Sequence, residues 1–317
     1  MTHYTTISPL LPSFEQRHVD LFGEQVIQME HRLAETGLFT DEKLGEMIDR
    51  CPAEHRSINT MGFDLENPVW REGTFGDVPG IEVIQAIRNG RMWTNIRRLM
   101  DYDKDYADVL DKIFSEFENK VPNLETFKRN MTVLISSPKC QVFYHCDIQG
   151  QALWQIHGKK RVYVYPTSKA FLKPKALENI LLRETEEEMS YEPWFDEYAQ
   201  VFDLEPGQML HWPLYGPHRV ENHDCLNVSL TTEHWTKEIW KSYATHYGNG
   251  VLRRSLGLNK LSTDPKGMHV YVKAGAAFAR KKIDNHNARY IKKMVDFTVD
   301  PASKTGMKDI EPFQVYK

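Results

Sequence analysis

The period of the apolar positions changes twice along this chain. Up to about residue 90 it is helical. In VDLFGEQVIQMEHRLAETG the residues Leu21, Val26, Met29 and Leu33 recur at spacings of three to five, and Gly37 reads as the stop. TDEKLGEMIDRCP predicts a short helix with Thr40 or Asp41 as its N-cap and Pro52 beyond its end. GIEVIQAIRNG predicts another, closed by Asn89-Gly90. From about 91 to 237 the period falls to two. RMWTNIRRL, MTVLISS, CQVFYHCDI, ALWQIHG, KRVYVYP, AQVFDLEPGQMLHWP and CLNVSLTTEHW read as strands, and EPGQ and IHGKK carry turn residues. Many short strands broken by glycine and proline predict a β-sandwich or a barrel of the jelly-roll type. Between them, KALENILLRETEEEMSYEPWFDEYA reads as a helix followed by an acidic, aromatic-rich excursion. Beyond 238, KEIWKSYATHYGNGVLRRSLG and HVYVKAGAAFARKKIDNHNARYIKKMVDF look helical and rather basic. The expected class is therefore mainly β with flanking helices. A helical region at 1–90 packs on the core, a jelly-roll domain spans 91–237, and a helical region fills 238–317.

Composition narrows the class only a little. The chain has 317 residues and a net charge of -4. That is enough for one large core with decoration. It offers no basic excess of the kind that neutralises phosphates, so nucleic-acid binding is not expected. ARKKIDNHNARYIKK is the basic segment that argues the other way. No apolar run reaches about 18 residues, so no membrane-spanning helix is predicted. The first residues, MTHYTTISPLLPSFEQ, lack the basic and apolar regions of a secretory signal. Cys51, Cys140, Cys146 and Cys225 form no CxxC pair, and a reducing, cytoplasmic setting is expected. Cys146 reads as a small buried hydrophobe pointing away from its two polar neighbours.

Those neighbours carry the candidate chemistry. Strand alternation puts His145 and Asp147 on one face. HxD alone is weak, since an ion-paired or capped histidine at a strand edge explains it better. A second region, LEPGQMLHWPLYGPHRVENHDCLNVSL, holds His211, His218 and His223. A distant histidine facing His145 and Asp147 would complete the two-histidine, one-carboxylate triad that binds Fe(II) and leaves positions open. The turn, strand and proline-rich bend ahead of His218 favour it over the other two. In KKRVYVYP, period two turns Lys160 inward with Val162 and Val164, where a cation would meet the distal carboxylate of 2-oxoglutarate. Gln151 and Gln155 share the parity of Asp147. Asn227, Ser229 and Thr231 alternate onto one face that would line a cosubstrate pocket.

Together, HCDIQGQALWQIHGKKRVYVYP and EPGQMLHWPLYGPHRVEN with the following NVSL resemble the JmjC-type, cupin-like branch of the Fe(II)- and 2-oxoglutarate-dependent oxygenases. The layout is similar to that of the asparaginyl hydroxylase called factor inhibiting HIF, over roughly residues 130–237. The resemblance implies a double-stranded β-helix core and His145, Asp147 and His218 as iron ligands. It implies that Lys160 holds the cosubstrate, with Gln151 and Asn227 at pocket positions. Val142 departs from the pattern, because the hydroxylase has a threonine there that helps bind the cosubstrate. Tyr144, Asn95 or Ser229 are the residues expected to stand in for it.

The implied reaction consumes dioxygen and 2-oxoglutarate, releases succinate and CO2, and hydroxylates a protein side chain or a small metabolite. Trp93, Tyr144, Trp154 and Trp212 are candidate pocket walls, and Trp93, Asn95 and Arg97 candidate entrance residues for substrate. Each reads equally well as ordinary jelly-roll core. The acidic segment 183–198 is a candidate lid, or simply a solvated charged stretch. The C-terminal helices are candidates for pairing two copies. Two other readings stay open: a cupin-type metal enzyme that does not use 2-oxoglutarate, and a non-catalytic binding module.

Overall fold

The computed structural model describes residues 8–62, 64–66, 69–185, 189–284 and 292–316. Its strands are β1 Ile27–Glu30, β2 Arg56–Met61, β3 Trp70–Thr74, β4 Trp93–Arg97, β5 Phe127–Ser136, β6 Gln141–His145, β7 Gly150–His157, β8 Lys160–Val164, β9 Gln200–Leu204, β10 Gln208–His211, β11 His218–Asn222, β12 Asn227–Trp235, β13 Lys292–Val299 and β14 Met307–Tyr316. Its α-helices are α1 Gln16–Leu21, α2 Asp41–Arg50, α3 Gly80–Asn89, α4 Lys104–Lys120, α5 Pro174–Leu181, α6 Lys237–Leu256 and α7 His269–Asp284.

Eight consecutive strands, β5 to β12, build the centre. β5, β7, β10 and β12 lie in a large sheet of order β1-β10-β7-β12-β5-β4-β2-β3-β13-β14, and β6, β8, β9 and β11 in a small one of order β6-β11-β8-β9. The chain crosses between the sheets at almost every connection, which is the topology of a double-stranded β-helix. The core is the expected jelly-roll. Strands from all three sequence regions share the large sheet.

The main apolar core covers the outer face of that sheet. Leu44, Met47 and Ile48 of α2, Val83, Ile84 and Ile87 of α3, and Val109, Ile113, Phe114 and Phe117 of α4 pack with Ile96, Val133, Ile135, Trp154 and Leu230. The α4 positions follow the helical repeat. They form a helix inside the region that otherwise alternates as strands, and the strand pattern around them hides it. The predicted helices at 41–50 and 80–89 form, the first capped by Thr40, whose side chain accepts from the Lys43 N–H.

Three stretches differ from expectation. The helix expected across 19–37 stops at Leu21, and Gly23 takes a positive φ of 78°. Ile27–Glu30 then runs extended, with Ile27 and Met29 buried and Gln28 and Glu30 exposed, because β10 offers it a sheet edge. β2 and β3 bring strands into the region expected to be mainly helical. At the C-terminal end the expected helix ends at Asp284. Lys292–Val299 is instead a strand parallel to β3, with Val295, Phe297 and Val299 buried in alternation. The Phe297 ring occupies the place a Cβ on Gly73 would need, so the close approach of β13 to β3 requires glycine there.

Where β1 ends, one buried histidine clamps it to the barrel. His31 Nε2 lies 3.0 Å from the Gln155 carbonyl, and its Nδ1 accepts from the Leu33 N–H at 3.2 Å. That pair of bonds requires the neutral ring, and burial pushes its pKa down to about 4. The unfolded chain therefore takes up a proton between pH 6.5 and about 4 that the folded chain refuses. Stability falls as pH drops through that window, by about 1.4 kcal/mol per pH unit from this group. Urea unfolding of His31→Gln against the parent at pH 7, 6 and 5 should show a shallower pH slope in the variant; identical slopes would refute the assignment.

Candidate metal centre and its cavity

β6 and β11 are antiparallel neighbours whose register sets His145 against His218. Their ring centroids are 4.1 Å apart. Asp147 follows the end of β6 by two residues, and its Oδ2 lies 3.5 Å from His218 Nε2. One ligating atom from each of the three lies within 4.8 Å of the others. Both rings are aimed by backbone. His145 Nδ1 is 2.7 Å from the Phe143 carbonyl, and His218 Nδ1 is 3.0 Å from the Gly216 carbonyl. A carbonyl only accepts, so each Nδ1 carries a hydrogen, and Nε2 is the ring nitrogen left to face a metal ion. Burial, helped by His145, holds the pKa of His218 well below the ordinary value and keeps the ring neutral. Burial raises the pKa of Asp147, against the pull of His145. Its Oδ2 has no hydrogen-bond partner among the described residues. Two imidazole nitrogens and one carboxylate oxygen without a hydrogen-bond partner suit a divalent ion bound with open positions.

The three line a cavity of about 320 Å³ between the sheets. Strand register arranges one of its walls as a series of rungs across the large sheet. From the inner end outward these are Asn227–Ser136–Trp93, Gln155–Ser229–Leu134–Asn95, Leu153–Thr231–Thr132–Arg97 and Gln151–Glu233–Asn130. Lys160 stands at the end away from the ligands, paired with Asn222 four residues along β11 from His218. It lines the cavity and is 4 % exposed. Its ammonium has no hydrogen bond or ion pair among the described residues, and burial pushes its pKa down to about 8.

The other residues singled out in the sequence divide. Trp93, Asn95, Arg97, Gln151 and Trp212 line the cavity, Trp212 with its ring 4.5 Å from that of His218. Trp154 does not: it lies in the outer core and donates to Thr232 Oγ1 at 2.9 Å. Tyr144 turns out of the barrel, packs with Tyr165, Phe171 and Phe195, and donates to the Phe171 carbonyl. Asn227 and Ser229 are buried and both bond to Gln155: Gln155 Nε2 donates to Asn227 Oδ1, and Ser229 Oγ donates to Gln155 Oε1. Of the three residues expected to stand in for a threonine at position 142, Asn95 alone lines the cavity. Of the other two downstream histidines, His211 is stacked on Phe22 at 4.4 Å and bonded to the Gln151 carbonyl, and His223 pairs with Asp203 near the surface.

A bulge explains the inward turn of Val142. Val142 and His145, three residues apart, both line the cavity, which a regular pleat forbids. The register shift between His218 and Val220 opposite them supplies the extra residue. Sequence reasoning passed over Thr132, Asn222 and Glu233. The last was within reach, because Glu233 continues the alternation of Asn227, Ser229 and Thr231. In the acidic segment 183–198, residues 186–188 lie outside the described residues. Asp196 pairs with Arg219 at 2.5 Å and Phe195 packs on Tyr144, both on the outward side of the small sheet.

No protein-family model matches the chain. Over 156 residues it is 28% identical to human tRNA wybutosine-synthesizing protein 5, an alignment covering 47% of this chain and 49% of that protein. The chain thus spans about half the length of the curated relative it matches. The fold is similar to that of Escherichia coli YcfD, with a TM-score of 0.50 at 13% identity over 88% of this chain and 70% of that one. A structure of YcfD described as a ribosomal oxygenase in complex with cobalt and 2-oxoglutarate aligns with a TM-score of 0.47 at 14% identity, covering 87% and 68%. The likeness at a TM-score of 0.50 shows a shared fold.

The unpaired Asp147 carboxylate has a cost in the metal-free protein. Asp147→Asn should raise the melting temperature measured in chelator, by the equivalent of about 1 kcal/mol or more, while abolishing the stabilisation that added Mn(II) gives the parent. A variant less stable than the parent in chelator would show that the carboxylate is satisfied without metal.

Proposed function

We propose that the chain is an Fe(II)- and 2-oxoglutarate-dependent oxygenase of the JmjC type. The observation that carries this is the pairing of two unlike ends in one cavity. His145, Asp147 and His218 converge at one end, and Lys160 points an unpaired ammonium into the other. The four-residue offset between His218 and Asn222 on β11 is about 13 Å along the strand. A four-carbon lysine stem covers about half of it, and a short dicarboxylic acid is the right length for the rest. His145, Asp147 and His218 would hold the iron, Lys160 would take the distal carboxylate by a charge-assisted hydrogen bond, and Asn95 would add a polar contact beside Val142. Bound iron with its cosubstrate supplies the activation of dioxygen. The chain orients the reactants, and the apolar wall of Val142, Leu153, Trp212 and Val220 excludes bulk water.

The reading extends to hydroxylation of a protein side chain or a small molecule. The resemblance to the asparaginyl hydroxylase branch rests on the motif alone. The free thiols suit a reducing, cytoplasmic setting, and no helix among the described residues is long and apolar enough to cross a membrane. On α7, Tyr271, Val272 and Phe278 stand exposed with the adjacent Met268; they support pairing of two copies through the C-terminal helices. Sedimentation at micromolar concentration should show a dimer that Phe278→Glu dissociates, and a parent that sediments as a monomer would remove the idea.

Anaerobic titration with Fe(II) and then 2-oxoglutarate tests the main reading. A visible charge-transfer band should form, vanish in His145→Ala, and need at least roughly tenfold more 2-oxoglutarate in Lys160→Ala, as removal of a charge-assisted bond implies. Iron binding with no band would redirect the assignment to a cupin enzyme that does not use this cosubstrate.

A further inference from the structure

One acid in the cavity has no part in the metal set. Glu233 lies on β12, in the outermost rung, between Gln151 on β7 and Asn130 on β5. It lines the cavity with Asp147 but is not among the residues whose ligating atoms converge. A carboxylate accepts only. Glu233 Oε2 takes one hydrogen bond, from Asn130 Nδ2 at 3.0 Å, and no cation pairs with it among the described residues. Arg97, in the same wall, lies two strands away and donates to the Glu54 carbonyl at 3.3 Å. The neighbours of Glu233 deepen the imbalance. Gln151 is 8 % exposed, faces the cavity, and its Oε1 has no partner. Asn130 has turned its amide nitrogen to Glu233, leaving its own Oδ1 unpartnered. Burial, together with the Asp147 carboxylate that lines the same cavity, pushes the pKa of Glu233 up. Acceptors left unpaired in an enclosed site are costly unless a donor arrives.

Resting on the oxygenase reading, we propose that Glu233, with Gln151, is the specificity determinant for a cationic substrate group, an ammonium or a guanidinium, that enters the cavity mouth beside the metal ligands. Such a group carries several N–H donors and a positive charge, which is what this corner lacks. Its carbon stem would lie along Trp212, which presents an apolar ring at the same end of the cavity. A neutral or anionic group of the same size would leave Glu233 unpaired and be rejected, since discrimination by buried polar groups exceeds that by shape.

The test uses the full chain loaded with Mn(II) and 2-oxoglutarate, and follows binding by calorimetry. The probes are butylamine, butylguanidine, butanol and butyrate, together with the blocked tripeptide acetyl-Gly-Lys-Gly-amide. The parent should bind the two cations at least roughly tenfold more tightly than butanol, with butyrate weakest. Glu233→Gln, which keeps size and loses charge, should erase that preference; Glu233→Asp should keep it in weakened form. A tripeptide bound more tightly than butylamine would identify a protein side chain as the source of the cation, and the reverse order a small molecule; both agree with the proposal. Equal affinity of the parent for butanol and butylamine would overturn it, as would an unchanged preference in Glu233→Gln. If the glutamine variant fails to fold, the parent's own preference and the aspartate variant decide the matter. The Fe(II) and 2-oxoglutarate band of the parent is recorded in parallel. Its absence with cation binding intact would sink the oxygenase reading alone, and its presence without a cation preference would sink this proposal alone.

Discussion

Charge enclosed between two sheets, and kept apart there, is the constraint on which this molecule's centre depends. Asp147 and Lys160 are groups of opposite charge type that line one enclosed cavity, where such charges attract more strongly than in bulk water. The register of β11 against β6 and β8 holds them at opposite ends. Neither side chain can cross the gap, so neither can neutralise the other. A barrel that collapsed would pair them and lose the site. The fold resists collapse because each sheet is fastened from outside. The large sheet is backed by α2, α3 and α4 through the main core. The small sheet is pinned by buried Arg219, which bonds Asp196, Glu221 and the Tyr165 hydroxyl beneath the aromatic cluster around Phe195.

This division of labour explains what could be read from the sequence. The chemistry sits on strands, where alternation reports facing directly. HxD puts His145 and Asp147 together, KKRVYVYP turns Lys160 inward, and RMWTNIRRL sends Trp93, Asn95 and Arg97 to one face; all of these line the cavity. Where the pleat is interrupted, parity says nothing. The bulge in β6 brings Val142 inward, against the parity that His145 sets, and no residue type announces it. Trp154 suggests a pocket wall by its size, although its parity opposes that of Gln151 and Gln155, and parity is the better guide. Longer-range pairing is invisible for a different reason. Ile27–Glu30 and Lys292–Val299 become strands because β10 and β3 offer them edges, and a local window holds no information about a partner far along the chain.

The rungs across the large sheet show how similar residues come to do different work. Gln155, Ser229 and Asn227 form a closed set at the inner end: each amide or hydroxyl that could be left unpaired is met by another member or by backbone, as Asn227 Nδ2 is by the Cys225 carbonyl. A satisfied network of this kind stiffens the barrel. Two rungs outward, Gln151 and Glu233 occupy the same faces of the same two strands, Gln151 with its Oε1 unmet and Glu233 with one hydrogen bond, from Asn130, and no cation among the described residues. The backbone is equivalent at both places, and residue type alone does not separate them, since both rungs carry a glutamine. What separates them is completion. Polar groups that find their partners within the chain belong to the scaffold. Those that the scaffold leaves open, as Gln151 Oε1 is at the end where His145, Asp147 and His218 converge, are the groups that a molecule from outside could still satisfy.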